Sequence, residues 1–342
     1  MQNNINWGII GLGNVASGFA DAFKESNNSE LKGISSNNLD KIKLFQEKFN
    51  IDKNYCFDNY ENLLKCEDID IVYIALPNSM HQEWILKSIK NRKKVLVEKP
   101  AFISLSEIKN IKQQIDEKKL YFAEGFMYRH TPQTIKILDL IKNKSIGIPK
   151  SMVSNFGVNL LTKKNIFGFK KKKKINIENR LFNKDLGGGV VFDLGCYTVS
   201  LSILIASTIS KINFDNIKIL DKKIEIGSTN VDIDARARLD FDNGFVSLVN
   251  TSFLEDLGTE TIIYGTEGIM KVKDPWRSEP SIISLEGKIN KEIEVKFNSN
   301  IFSYEINAIS KDILEERLIP NFPGVTIDES IGLTKILQNW IN

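Results

Sequence analysis

An apolar run, Ile5 to Ile10, ends in Gly11-Leu12-Gly13-Asn14-Val15-Ala16 and passes directly into a helical pattern. A buried strand that turns on glycine and opens a helix gathers free backbone N–H groups and the positive end of a helix dipole at one point. Gly11 permits the tight turn, Gly13 lets the backbone approach a pyrophosphate, and Ala16 allows the helix to pack close on its strand. A purely structural glycine turn is the competing reading. The strand–turn–helix context favours a dinucleotide site built from Gly11, Gly13, Asn14 and Val15.

The rhythm continues beyond the turn. Apolar runs at 5–10, 31–35, 70–76, 94–98 and 120–123 predict strands, and amphipathic patterns at 14–26, 39–49, 60–66, 79–91 and 104–118 predict helices. Strand–helix alternation of this kind folds as a doubly wound parallel sheet, so residues 1–123 are expected to form an α/β Rossmann domain. From 124 the pattern changes. A helix is predicted at 132–143, an extended segment at 150–160, a helix at 189–205, and strands at 234–241, 244–254 and 259–265 with turn signals between them. Residues 124–342 are therefore expected to form an α+β domain with a large, mainly antiparallel open sheet. A closing helix over 326–340 is expected to pack back on the first domain.

Composition narrows the function classes. The chain is 42% apolar and 26% charged, and its 46 basic and 43 acidic residues leave a formal charge of +3. That balance argues against nucleic acid or a membrane as the main partner. No run approaches the ~20 apolar residues of a membrane span, and no signal peptide is visible at the start. Cys56, Cys66 and Cys196 are odd in number and lack metal-site spacing, which points to a reduced, cytoplasmic protein without a structural metal. The run Lys170 to Lys174 reads as a solvated loop because like charges repel.

Other residues fall where a doubly wound sheet binds ligands, at the carboxyl ends of its strands. The second strand ends in Ser35-Ser36-Asn37-Asn38 with no carboxylate for ribose hydroxyls, so Ser36 and Asn37 favour NADP over NAD. Pro77, Asn78 and His81 follow the strand at 70–76 and border the nicotinamide side, although His81 serves equally well as a packing residue of the next helix. The run Val95-Leu96-Val97 delivers Glu98, Lys99 and Pro100. In the second half, Asp193 and Tyr197 are four residues apart on a predicted helix and share one face. Tyr128 and Arg129 read either as substrate-lining residues or as a structural pair. Trp276 and Arg277 read as surface-loop residues.

The motifs "GLGNVA", "ALPNSMH" and "EKP", followed by "AEGFMYRHTPQ", "LGGGVVFDLGCYTVSL" and "NFPGVTIDESIGLTKIL", resemble the glucose–fructose oxidoreductase / inositol dehydrogenase (Gfo/Idh/MocA) family. The finer pattern resembles the branch with dihydrodiol dehydrogenase and NADP-dependent xylose dehydrogenase. The resemblance covers nearly the whole chain. It implies an NAD(P)-dependent oxidoreductase of a sugar or similar polyol, working as a homodimer or higher oligomer. It also implies that Lys99 stands beside the nicotinamide and the substrate hydroxyl, where a desolvated, cationic surrounding disfavours its ammonium form. Tyr197, a histidine in many relatives, is then the proton donor or acceptor. Asp193 orients a neighbouring hydroxyl or Lys99, and Glu98 is an orienting, cofactor-side group. Two alternatives keep the scaffold and change the function: lyase- or hydrolase-type chemistry that uses the nucleotide only transiently, and a non-catalytic dinucleotide sensor.

Overall fold

The computed structural model describes residues 4–106, 108–164, 170–173, 175–276 and 281–342. In chain order it begins with β1 (Ile5–Ile10), α1 (Asn14–Asp21), β2 (Ser29–Ser35), α2 (Leu39–Phe49), β3 (Cys56–Phe57), α3 (Tyr60–Lys65), β4 (Ile71–Ile74), α4 (His81–Lys90), β5 (Lys94–Glu98), α5 (Ile108–Lys118) and β6 (Phe122–Gly125). Next come α6 (Pro132–Lys142), β7 (Pro149–Gly157), β8 (Thr162–Lys164), β9 (Lys170–Lys172), α7 (Cys196–Ser207), β10 (Lys218–Ile226), β11 (Asp232–Asp240) and β12 (Val246–Ser252). The chain closes with β13 (Thr261–Gly265), β14 (Gly268–Val272), β15 (Ser281–Gly287), β16 (Lys291–Val295), α8 (Ile301–Leu314) and α9 (Ile327–Ile341).

The chain divides into two units, Met1–Thr131 with Asn298–Ile331, and Pro132–Phe297 with Gly332–Asn342. The division differs from a single cut after residue 123: the first unit runs eight residues further and reclaims α8 together with the start of α9. Its sheet is wholly parallel, in the order β3-β2-β1-β4-β5-β6. Side chains alternate across it with period two. Ile71 and Tyr73 of β4 join one core with Trp7, Phe19, Ile306 and Ile309, while Val72 and Ile74 join another with Ile85, Ile89 and Ile111. Covering both faces of a parallel sheet explains why Val95, Leu96 and Val97 are all buried. Helix α8 is tied to this sheet by polar contacts as well: Trp7 Nε1 donates to Ser310 Oγ at 3.0 Å, and Tyr121 Oη to Asp312 Oδ2 at 3.0 Å.

The second unit carries an eight-stranded sheet, β10-β11-β12-β7-β13-β14-β15-β16, antiparallel except for the β12–β7 pair. Met152, Val249, Ile263, Met270 and Ile283 point inward and are fully buried, whereas Leu248, Tyr264 and Ile282 on the opposite face are exposed. Helix α7 is buried along nearly its whole length. The segment 184–207 is long and apolar enough to cross a bilayer by composition, contrary to the expectation that no run approaches a membrane span, yet 89% of its most apolar stretch is buried inside the protein. It is a core helix.

Two sequence expectations change here. Lys170–Lys172 forms β9, paired antiparallel with β8, so that part of the lysine run is hairpin strand and not open loop; Lys174 lies outside the described residues. Trp276 is 3% exposed and belongs to the core of its unit, not to a surface loop, while Arg277 lies outside the described residues.

Candidate active site

In the first unit, four loops leave the carboxyl ends of β1, β2, β4 and β5 on one edge of the sheet. The strand order reverses between β1 and β4, where open α/β sheets bind their ligands. Gly11 is the tightest point. Its φ of +92° lies in the left-handed region, and a Cβ there would stand 2.6 Å from the Ala75 carbonyl oxygen. The same residue donates its N–H to Ser35 O at 3.0 Å, which brings the ends of β1, β2 and β4 together.

Gly13 caps α1 without a side-chain hydrogen bond, and the first turn of α1 holds no acidic residue. A Cβ at Gly13 would meet no atom within 4 Å, and Asn14 and Val15 are exposed. An open, donor-rich helix end of this kind fits a diphosphate. At the end of β2, Ser36 is buried with its Oγ accepting from Asn38 N at 3.2 Å, Asn38 caps α2 at Lys41 N, and Asn37 is exposed. No carboxylate precedes Asp40 in this loop. Pro77 and Asn78 sit in the loop after β4, and Asn78 is buried.

The end of β5 is held peptide by peptide. Lys99 N donates to Glu98 Oε2 at 3.2 Å, and Tyr73 Oη donates to Glu98 Oε1. The Lys99–Pro100 bond is cis. His81 Nδ1 lies 2.9 Å from Pro100 O, and Ala101 N donates to Glu124 Oε1 at 2.8 Å. Glu98 thus accepts from both the lysine backbone and the Tyr73 hydroxyl. His81 is 0% exposed, with its ring nitrogens at the Pro100 and Leu76 carbonyls, a geometry in keeping with the packing side of its two readings. Deeper in this unit, burial and the charge of Glu98 push the Glu305 carboxyl well above its usual range.

Asp193 and Tyr197 lie in the second unit. The chain enters this segment through Gly189, at φ +121°, where a Cβ would stand 2.2 Å from Asp232 Oδ1. Asp232 Oδ2 accepts from Val191 N at 2.6 Å and anchors the start of the turn. Residues Val191–Gly195 then form a π-helical turn before α7 begins, a distortion frequent at functional sites. The spacing of four between Asp193 and Tyr197 therefore crosses from π to α geometry. Asp193 Oδ1 pairs with Arg180 Nη2 at 3.2 Å. Tyr197 packs edge-on to Phe156, with ring centroids 5.5 Å apart, and at 5.7 Å against Trp276, which itself stacks on Phe156. Arg180 and Phe156 carry no sequence signal that marks them beforehand.

Tyr128 and Arg129 lie inside the first unit. Both are buried, at 0% and 1% exposure. Arg129 Nε donates to Tyr128 Oη at 3.1 Å, Nη1 to Pro323 O at 3.3 Å, and Nη2 to Glu329 Oε1. The guanidinium staples the segment around the start of α9 to its own turn.

Glu124, next to this staple, is fully enclosed, and burial raises its carboxyl from 4.5 to about 7 against hydrogen bonds from Ser330 and Ala101. The folded state thus holds a proton between pH 4.5 and 7 that the unfolded chain has released, and stability falls as pH rises through that window. At about 1.4 kcal/mol per pH unit the effect reaches roughly 3 kcal/mol. His130 acts in the opposite sense, since burial lowers its imidazole from 6.5 to about 4, so its contribution is lost as pH falls. Denaturant melts of Glu124→Gln against the parent protein separate the two. The variant gains relative stability on going from pH 5 to pH 8, and a difference independent of pH would contradict the assignment.

Among the described residues no group of three or more His, Cys, Asp or Glu side chains is placed to hold a metal ion. Comparison with known proteins follows the same division of the chain. A family described as "Oxidoreductase family, NAD-binding Rossmann fold" matches residues 5–126, and the GFO/IDH/MocA C-terminal domain matches residues 134–271. Trans-1,2-dihydrobenzene-1,2-diol dehydrogenase of Xenopus tropicalis is 26% identical over 83% of this chain and 80% of its own length. D-xylose 1-dehydrogenase (NADP(+)) 2 of Haloferax volcanii is 24% identical over 80% of this chain and 78% of its own. Among solved structures, the 3-ketoreductase KijD10 of Actinomadura kijaniata, crystallised with NADP and TDP-benzene, superposes with a TM-score of 0.81. It is 21% identical and covers 98% of this chain and 96% of its own, a likeness of fold.

Proposed function

The chain belongs to the GFO/IDH/MocA family of oxidoreductases, and on that premise we propose that it oxidises or reduces a hydroxyl-bearing carbon of a sugar or similar polyol with NADP. The observation that carries the reading is the turn after β5, where Glu98 holds the peptide before a half-buried lysine and His81 and Glu124 hold the two polar groups of the peptide after Pro100. A strand end with no chemical task has no need of such an arrangement.

The nicotinamide cofactor, when bound, supplies the hydride chemistry. Gly11, Gly13, Asn14 and Val15 would hold its diphosphate, and Pro77 and Asn78 would border the ring. The lean to NADP rests on Ser36 and Asn37 in place of a carboxylate, and on the NADP named for the xylose dehydrogenase and for KijD10. Either Lys99 Nζ or Tyr197 Oη is proposed to hold or release the proton of the substrate hydroxyl. Asp193, paired with Arg180, is proposed to accept a hydrogen bond from a neighbouring hydroxyl. Tyr197→Phe removes only the hydroxyl and leaves the ring packed on Phe156 and Trp276. Turnover is expected to fall by at least ~10²-fold, and a loss below about threefold would move the proton to another group.

The reading is tested by following nicotinamide absorbance while aldoses and diols are offered with NADP or NADPH. A net change with a polyol supports it. Retained nucleotide with product formed and no net change would favour transient use of the cofactor, and nucleotide binding with no product from any substrate would favour a sensor. The outer face of the second unit's sheet supports a homodimer: Leu248, Val153 and Ile262 are cross-strand neighbours in one row, with Tyr264 and Ile269 in the next. Leu248 and Tyr264 are exposed and Val153, Ile262 and Ile269 half-buried, and apolar rows that reach solvent on one sheet face favour association. Light scattering should show a dimer that Leu248→Asp weakens, and a monomeric parent protein would contradict it. The three free cysteines support a reducing, cytoplasmic setting.

A further inference from the structure

His81 opens α4 and is fully buried. Its two ring nitrogens face two backbone carbonyls: Nδ1 lies 2.9 Å from Pro100 O and Nε2 lies 2.9 Å from Leu76 O. A carbonyl oxygen only accepts, so each contact is a hydrogen bond only where the ring nitrogen carries the proton. A neutral imidazole serves one of the two and turns a lone pair toward the other oxygen, an arrangement that is costly in a buried place. An imidazolium serves both, and charge-assisted bonds on either side offset the desolvation of the cation.

The two carbonyls belong to different functional loops. Leu76 directly precedes Pro77 and Asn78 in the loop after β4, and Pro100 directly follows Lys99. Glu98 and Glu124 hold the flanking peptides of the lysine turn, at Lys99 N and Ala101 N. We propose that His81 donates from both ring nitrogens and is a positioning residue that ties the loop after β4 to the turn presenting Lys99, and is not a ligand of the dinucleotide. The proposal rests on the role given to Lys99 above. It implies that whatever settles Pro77 and Asn78 also settles the lysine, through one ring.

The chain has only two histidines, which makes the test direct. Long-range proton–nitrogen spectra of the full-length, nitrogen-15-labelled protein at pH 7.5 read the ring protonation of each. His130, lowered to about 4 by burial, provides a neutral reference in the same sample. One imidazolium and one neutral ring are expected, with the imidazolium pattern absent in His81→Gln and retained in His130→Gln. Two neutral rings would overturn the proposal, and this needs only the parent protein even where a variant fails to fold. In His81→Gln, kcat is expected to fall about tenfold or more while the dissociation constant for NADPH stays within about threefold, because misplaced groups cost rate before affinity. A raised dissociation constant with kcat unchanged would make His81 a ligand, and no change in either would make it a packing residue; both outcomes overturn the proposal. The spectra and the binding constant require no substrate, so failure of the catalytic reading is distinguishable from failure of this one.

Discussion

Lys99→Met is expected to lower turnover by between ~10² and ~10⁴-fold while leaving the affinity for dinucleotide within a few-fold. Methionine keeps an unbranched apolar stem up to the Cε position and removes the ammonium group. The contacts at Lys99 N, Pro100 O and Ala101 N are made by backbone atoms, which the substitution keeps. Glu98 takes the Lys99 backbone N–H, His81 reaches Pro100 O, and Glu124 takes Ala101 N–H. The glycine turn and the end of β2 lie on other strands and are untouched. The variant should therefore fold, bind cofactor and fail at the proton. Steady-state rates with a fluorescence titration of NADPH check both halves. Undiminished turnover would remove Lys99 from the chemistry.

Arg129→Met is expected to cost about 3–5 kcal/mol of stability, the usual consequence of removing one partner of a buried ion pair. Glu329 would lose its cation, and Pro323 O and Tyr128 Oη would lose their donors, all inside the first unit. The melting temperature should fall by roughly 10 °C. Lysine is no substitute, because a point charge cannot serve three partners set out for a planar fork. Thermal melts decide it together with kinetics on the folded fraction. A fall in stability with KM preserved is the expected result. A stable variant with a much raised KM would return Arg129 to the substrate.

What could be read before folding, and what could not, follows from how each residue earns its place. Strands β1, β4 and β5 are apolar on both faces and stand out as continuous runs. The glycine turn is legible because Gly11 occupies a conformation closed to other residues. Helix α8 was missed because Ser303, Glu305, Ser310 and Asp312 are buried in it, so its core face does not read as apolar. Strands β14 to β16 sit toward the edge of their sheet with mixed segments such as "KEIEV", and short edge strands need little apolar pattern. The same limit hid Trp276 and Arg129. Aromatic packing on Tyr197 and a saturated guanidinium are properties of neighbours distant in the chain. His81 shows the limit most plainly, since its motif is visible and its two acceptors are not.

The central claim is that this chain is an NADP-linked oxidoreductase. Titration of the purified protein with NADPH and, separately, NADH, followed by nicotinamide fluorescence, tests it most directly. The account predicts saturable binding of NADPH, with NADH weaker because Ser36 and Asn37 offer the adenosine ribose no carboxylate. Binding of neither by a folded, nucleotide-free protein would reduce the glycine turn to structure and contradict the account.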